Sequence, residues 1–218
     1  MTNNSNTKLY AIYDLGLSPC SYDFFQFMIS AELHRKRYKF KHLNIIFVHG
    51  TKQGFVENNL RSYEQNKQFF LNVLLPGSYL FKSVNTVQTV ADRNELNKIN
   101  LNINNTFPRG YTINSPIPDF VLRSVVMARL RREEPVFFEA PDYALRDVRK
   151  LIDNFSTNKK ILTLTVRELD REDNGSRTIN YKEWKHAFKK LKDDYLPIVI
   201  RDSCNSFDQN VLFEDAKE

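Results

Sequence analysis

The first fifty residues constrain the fold most, because two short apolar segments enclose one helical periodicity. Residues 9–13 are apolar or aromatic, and they stop at the breaker-rich loop 14–19. Apolar side chains then recur every three or four positions over residues 22–33, which predicts an amphipathic helix. Residues 43–48 are almost continuously apolar, as in a strand that is covered on both faces. This order predicts a β-α-β unit with parallel strands.

The same alternation repeats further along the chain. The patterns predict a helix over 59–81 that is broken near Pro76, a strand over 86–90, a helix over 118–130, a brief strand over 136–138 and a helix over 142–155. Residues 97–115 are rich in Asn, Pro and Gly, and we expect this long loop to lie near the functional site. Residues 1–155 are therefore expected to form a Rossmann-like α/β domain, with a mostly parallel sheet flanked by helices.

After a polar linker at 156–160 the pattern starts again. A strand is predicted over 161–166, a helix over 181–191 and a strand over 196–200. Only about 18 polar, weakly patterned residues follow Ile200. Two strands cannot bury both faces of a sheet by themselves. Residues 160–218 are therefore expected to form an incomplete second β-α-β unit, which either extends the first sheet or belongs to a truncated domain.

The charge balance favours an anionic partner. The formal net charge is +6 at pH 7, and much of it lies in the segment 34–42, where cations alternate with aromatic side chains. This segment is compatible with binding of RNA or another polyanion by a module that is not an enzyme. The alternative is a solvated helix end, because lysine and arginine favour helix C-termini. Both interpretations stay open on the sequence alone.

The sequence favours a reduced, cytoplasmic compartment. Cys20 and Cys204 are the only cysteines, and they show neither a CxxC motif nor a zinc-ligand spacing. The first eight residues are polar and do not resemble a secretory signal. No apolar segment approaches the roughly 18 to 20 residues that a membrane-spanning helix needs. We therefore expect a protein of the cytoplasm with no membrane span, and the oligomeric state is left open.

Three arginines in the last third of the chain are candidates for binding an anion. Arg167, Arg177 and Arg201 follow predicted strands or precede a predicted helix. Arginine forks pair bidentately with phosphate oxygens, and a helix N-terminus adds backbone donors. The three side chains are therefore expected to converge on one phosphate-bearing ligand. The alternative is that Arg167 pairs with Glu168, and Arg201 with Asp202, at the rim of the sheet.

The same stretch carries a family resemblance. Residues 162–168 have the pattern of a hydrophobic strand that ends in Arg-Glu. They are followed by a loop with Arg177 and Asn180, by a helix with Trp184, and by a strand that ends in Arg201-Asp202. The segments 107–111 and 14–22 are similar too. In these features the chain resembles GT-B-fold glycosyltransferase-like proteins of bacterial polysaccharide biosynthesis.

The resemblance implies a nucleotide-sugar donor on the C-terminal unit and a glycan or lipid-linked acceptor on the N-terminal domain, with no metal and no cofactor. The implied donor-binding residues are Arg167, Arg177, Asn180, Arg201 and Asp202. The implied acceptor-side loop residues are Gly16, Ser18, Tyr22 and Arg109. Because most of a donor domain is missing after Asp202, a truncated or inactive form is included in this expectation.

The candidates for acid–base catalysis each lie at the end of a predicted strand, where a side chain can reach a bound ligand. They are Asp14, His49, Asp92 and Glu168, of which Asp14, His49 and Glu168 are the expected catalytic residues. A competing motif, the acidic turn 170–176, imitates a calcium-binding loop, but Tyr181 stands where that loop requires a glutamate. No P-loop, HExxH or GxGxxG motif is present.

Overall fold

The computed structural model describes residues 7–50, 54–56, 62–119, 123–134, 136, 138–155, 158–165, 181–191 and 193–201. The chain divides into two compact units, Met1–Leu145 and Arg146–Glu218.

The first unit is built on a parallel sheet of four strands. The strands are β1 (Lys8–Asp14), β2 (His42–Val48), β3 (Val84–Val90) and β4 (Thr106–Phe107), in the spatial order β3-β2-β1-β4. Every neighbouring pair is parallel, and β1 pairs with β2 along its whole length, from Lys8 opposite His42 to Asp14 opposite Val48. The predicted Rossmann-like sheet flanked by helices is confirmed.

Two helical segments connect these strands. Helix α1 (Asp23–Arg37) carries an acidic residue in its first turn and basic residues in its last turn, as the helix dipole favours. Helix α2 (Tyr63–Phe69) begins with a capping box between Ser62 and Gln65. It continues through a π-helical turn (Phe70–Leu74), the short α3 (Leu75–Gly77) and a 3-10 turn (Ser78–Leu80), so the predicted break near Pro76 is a change of helix type.

Strand β2 is covered on both faces, which explains its continuous apolar sequence. Ile45 and Phe47 belong to the cluster that includes the apolar side chains of α1, and Ile46 and Val48 belong to a second cluster with Val90. All four are fully buried. The first cluster is rich in aromatic rings. Tyr13 has its ring centroid 5.0 to 6.1 Å from those of Phe24, Phe27 and Phe47, and all three of these pairs are edge to face.

The connection from β3 to the end of the first unit is mostly irregular. A 3-10 helix (Arg93–Lys98) precedes the two-residue β4, and helix α4 (Arg123–Leu130) lies within the predicted helical segment. The strand predicted over 136–138 is wrong, since neither Val136 nor Phe138 is in a strand. The ring of Phe138 instead stacks on Phe81 at 5.0 Å, so the apolar character of this segment reflects packing against the core.

The second unit contains the predicted β-α-β arrangement. Helix α5 (Asp142–Asn154) leads from the first unit into it, and β5 (Lys160–Thr165), α6 (Tyr181–Leu191) and β6 (Tyr195–Ile200) follow. The two strands are parallel, with Thr165 opposite Ile200. Phe188 of α6 is fully buried. Among the described helices, none has the length and apolar character needed to span a bilayer.

Candidate active site

The loops after β1, β2 and β3 form the candidate site. These strands end at Asp14, Val48 and Val90, and because they are parallel their carboxyl ends meet at one edge of the sheet. Open α/β sheets bind ligands at this edge. Backbone hydrogen bonds tie the three loops together there: Leu15 N donates to Val48 O at 2.8 Å, and His49 N donates to Val90 O at 3.1 Å.

Asp14 is a buried carboxylate with a full set of donors. Its side chain is 1% exposed. Arg93 Nε donates to Oδ2 at 2.7 Å and Nη2 donates to Oδ1 at 3.3 Å. The Tyr111 hydroxyl donates to Oδ2 at 2.8 Å, and Gly16 N donates to Oδ1 at 3.0 Å. Asp14 therefore joins the 3-10 helix after β3 to the loop after β4.

Both side-chain donors to Asp14, Arg93 and Tyr111, have raised pKa values. The hydrogen bond from Arg93 to the Asp14 carboxylate raises the pKa of the guanidinium above its usual value. Burial, followed by the charge of Asp14, raises the pKa of the Tyr111 phenol. Both groups thus remain donors at neutral pH. Because its oxygens already accept these bonds, Asp14 acts as an anchor for the site, and its role as an acid–base catalyst stays a prediction.

The loops after β1 and β2 touch through two glycines. A Cβ atom added to Gly50 would lie 2.9 Å from the Cα atom of Gly16, and one added to Gly16 would lie 3.1 Å from the Cα atom of Gly50. Both contacts are with backbone, which cannot turn aside as a side chain can. Glycine is therefore required at this crossing because of space.

Replacement of Gly50 by alanine is expected to lower the free energy of unfolding by about 1 to 3 kcal/mol, the usual penalty for overpacking. Urea denaturation would measure the change. The matched control is Thr86→Ala on the exposed part of β3, which should stay within about 0.5 kcal/mol of the wild type. An unchanged midpoint for Gly50→Ala would contradict the close crossing of the two loops.

His49 follows β2 and lies at the mouth of a cleft. Its ring Nδ1 is 3.4 Å from the carbonyl oxygen of Gly54. Gly54 has φ +84°, and a Cβ atom there would lie 3.0 Å from Nδ1. The ring packs edge to face against Phe55 and Phe70, at 6.0 and 5.6 Å between centroids. In the tautomer with its proton on Nδ1, the histidine donates to Gly54 and keeps Nε2 as an acceptor.

The cleft beside His49 has a volume of about 560 Å³. The residues that line it come from the loop after β2, from the helical segment and from the end of β3: His49, Gly50, Gly54, Phe55, Tyr63, Lys67, Phe70, Leu71, Leu75, Thr89 and Ala91. Phe70 and Leu71 lie in the π-helical turn, a kind of distortion that is frequent at functional sites. The cleft thus combines aromatic walls with one imidazole and one lysine.

Two of the four predicted acceptor-side residues lie beside Asp14. Gly16 donates to the Asp14 carboxylate, and the buried Ser18 donates through its backbone N to Asp14 O at 2.7 Å. Tyr22 is 54% exposed and contacts Phe25 and Phe69. Arg109 is also exposed.

The predicted contact of Arg109 with the acceptor stays untested. Its charge acts on His34 in α1. Burial first, and then the charges of Arg37 and Arg109, lower the pKa of His34 to about 4.

The predicted donor-binding residues are mostly beyond the described part of the chain. Arg167, Glu168, Arg177, Asn180 and Asp202 lie outside the described residues, as does the acidic turn 170–176. Arg201 is described: it directly follows β6 and is partly exposed. Because Thr165 lies opposite Ile200 in parallel strands, the chain leaves β5 and β6 at the same edge. The convergence of the three arginines stays a prediction.

The basic segment 34–42 meets acidic partners. Arg35 donates to Glu32 at 2.7 Å, in the same helix. Two further ion pairs reach the segment after α4: Arg37 Nη2 lies 2.7 Å from Glu133 Oε1, and Lys36 Nζ lies 3.2 Å from Glu134 Oε2. The interpretation as the end of a helix agrees with the position of these cations in the last turn of α1.

Arg93 and Tyr111 were missed by reasoning from the sequence. The neighbouring Asp92, a catalytic candidate, instead caps the 3-10 helix by accepting from Asn94 N and Glu95 N. The signal for Arg93 was its place three residues after the end of β3, at the same edge of the sheet as Asp14. Within the described ranges, no three side chains of His, Cys, Asp or Glu form a group that could hold a metal.

Comparisons with known proteins give no relative: no family model, no curated protein and no solved structure matches this chain.

Proposed function

We propose that this protein is a glycosyltransferase-like protein, which transfers a sugar from a nucleotide-sugar donor to a glycan or lipid-linked acceptor. The acceptor binds in the cleft beside His49, and the second unit holds the donor. The observation that carries the proposal is the position of His49, at the carboxyl end of β2 with its ring in the wall of an aromatic-lined cleft. A general base must lie within hydrogen-bond reach of the hydroxyl proton that it removes.

In this proposal each group has one chemical task. Nε2 of His49 accepts the proton of the acceptor hydroxyl while the hydroxyl oxygen forms a bond to the anomeric carbon of the donor. The bond between that carbon and the diphosphate oxygen breaks, and the diphosphate leaves with the electron pair. Arg167, Arg177 and Arg201 balance its negative charge by charge-assisted hydrogen bonds. The products are the glycosylated acceptor and a nucleoside diphosphate.

Three properties of the cleft support its use as the acceptor site. Its volume of about 560 Å³ falls within the roughly 300 to 1,000 Å³ of small-molecule pockets. Its walls include the buried Phe55 and Phe70 and the 45% exposed Tyr63, whose ring is accessible for packing against the apolar side of a sugar ring. It lies at the edge of the sheet where Rossmann-like folds bind ligands.

The donor role of the second unit is tested by removing one guanidinium group. Arg167→Ala is expected to weaken binding of the nucleotide sugar by about 1.5 to 3 kcal/mol, because a hydrogen bond to a charged group is lost. Titration calorimetry would follow a screen that finds the nucleotide sugar with the largest rise in melting temperature. The control is Arg149→Ala in α5, an exposed arginine of the same unit. Equal affinity of both variants for that ligand would refute the donor role.

A further inference from the structure

Helix α4 exposes an apolar face that the candidate active site does not use. Val126 and Met127 lie four and three positions before Leu130, so each of them neighbours Leu130 on the helix surface. Their exposed fractions are 55%, 37% and 72%. Ala128 is buried and marks the opposite, packed side. We refer to Val126, Met127 and Leu130 as the α4 face. Side chains of this size are seldom so exposed together without a partner.

Cations surround the α4 face. Arg129, Arg131 and Arg132 are exposed within or directly after the helix. The ion pair of Arg37 with Glu133 joins this region to the last turn of α1, beyond which Lys39 is exposed. Two basic segments that are far apart in the sequence thus form one basic surface. The acidic Glu133 and Glu134 on this surface are already held by Arg37 and Lys36.

We propose that the α4 face binds the surface of an anionic lipid bilayer. Leu130 and Val126 enter the boundary between headgroups and acyl chains, and the surrounding arginines contact the headgroup phosphates. Exposed aliphatic side chains beside lysines and arginines supply the two attractions that hold a protein on an anionic membrane, apolar burial and electrostatic attraction. RNA fits the α4 face less well, because bases stack on aromatic side chains, and the exposed Tyr38 of this basic surface belongs to the end of α1 and not to α4. The α4 face is aliphatic.

The test measures co-sedimentation of the full chain with vesicles. The wild type is expected to bind phosphatidylcholine vesicles that contain phosphatidylserine, and to bind pure phosphatidylcholine much more weakly. Leu130→Asn should reduce the binding by about tenfold, because the apolar contribution of one leucine is lost. Arg129→Gln should reduce it by about fivefold, the usual effect of one cation near an anionic membrane.

Matched controls separate this surface from general effects. Ile103 is 68% exposed elsewhere in the first unit, and Ile103→Asn should bind like the wild type. Lys98→Gln is the control for the loss of one exposed cation. Melting curves of Leu130→Asn should match the wild type, since the side chain is mostly in solvent. No binding to the anionic vesicles, or equal binding by Leu130→Asn, overturns the proposal. Tight binding of single-stranded RNA that is weakened by Arg129→Gln but not by Leu130→Asn would, together with either result, assign the surface to RNA.

Discussion

Replacement of His49 by asparagine is expected to slow sugar transfer by about 10²- to 10⁴-fold, the usual contribution of a general base. Asparagine keeps a polar side chain of similar length but cannot take up the hydroxyl proton. The backbone hydrogen bond from His49 N to Val90 O does not depend on the side chain, so the fold should persist. Steady-state kinetics with the nucleotide sugar that binds best would show the loss in kcat, with a smaller change in KM.

The matched control for this variant is His42→Asn. His42 is the first residue of β2, whereas His49 follows its last residue, so the two imidazoles lie at opposite edges of the sheet. The His42 variant should transfer sugar within about twofold of the wild-type rate. Unchanged nucleotide-sugar binding by the His49 variant would separate the two halves of the proposed function, since binding belongs to the second unit. A His49→Asn variant with full activity would exclude the imidazole as the base.

Replacement of Arg93 by alanine is expected to lower the free energy of unfolding by about 3 kcal/mol, because it leaves the buried Asp14 carboxylate without its cation. Tyr111 and Gly16 would still donate to Asp14, but neither carries a charge. Arg93 is about one-third exposed and Asp14 is fully buried, so most of the lost stability comes from leaving the Asp14 charge unpaired and not from the lost packing of Arg93. Urea denaturation monitored by circular dichroism would measure the change.

A double-mutant cycle identifies the origin of this loss. In an Asp14→Asn background the same change at Arg93 should have an effect of only about 1 kcal/mol, since no buried charge remains to be neutralised. The control is Lys98→Ala on the same 3-10 helix, where the pair with Glu95 is exposed and screened by solvent, so that the unfolding midpoint should stay close to that of the wild type. Equal effects of Arg93→Ala in both backgrounds would contradict a charge-based stabilisation by Arg93.

Most of the architecture was predictable because β1, α1, β2 and β3 each carry a local signal in the sequence. Strand β2 is continuously apolar since it is buried on both sides, and α1 shows the spacing of a helix that packs on one side. Strand β4 carried no such signal: two residues, Thr106 and Phe107, pair with β1 inside a long polar loop. At the segment around Phe138 a strand was predicted where none is found. Its apolar side chains pack against the core, and such packing does not require a strand.

The candidate site was predictable only where its position follows from the topology. Asp14 and His49 both lie where parallel strands end, and the alternating pattern alone indicates those positions. The partners of Asp14 could not be found in this way, because Arg93 and Tyr111 are 79 and 97 residues away along the chain. The same holds for the basic segment of α1, whose acidic partner Glu133 is 96 residues distant from Arg37. Charge pairing across such separations is set by tertiary packing.

Gly16 and Gly50 bring two loops into contact: the loop that donates to the Asp14 carboxylate and the loop that lines the cleft beside His49. With no side chain between them, the two backbones approach so closely that a Cβ atom on either glycine would lie 2.9 to 3.1 Å from the Cα atom of the other. Any residue larger than glycine at either position would therefore push apart the loop beside the Asp14 carboxylate and the loop that carries His49.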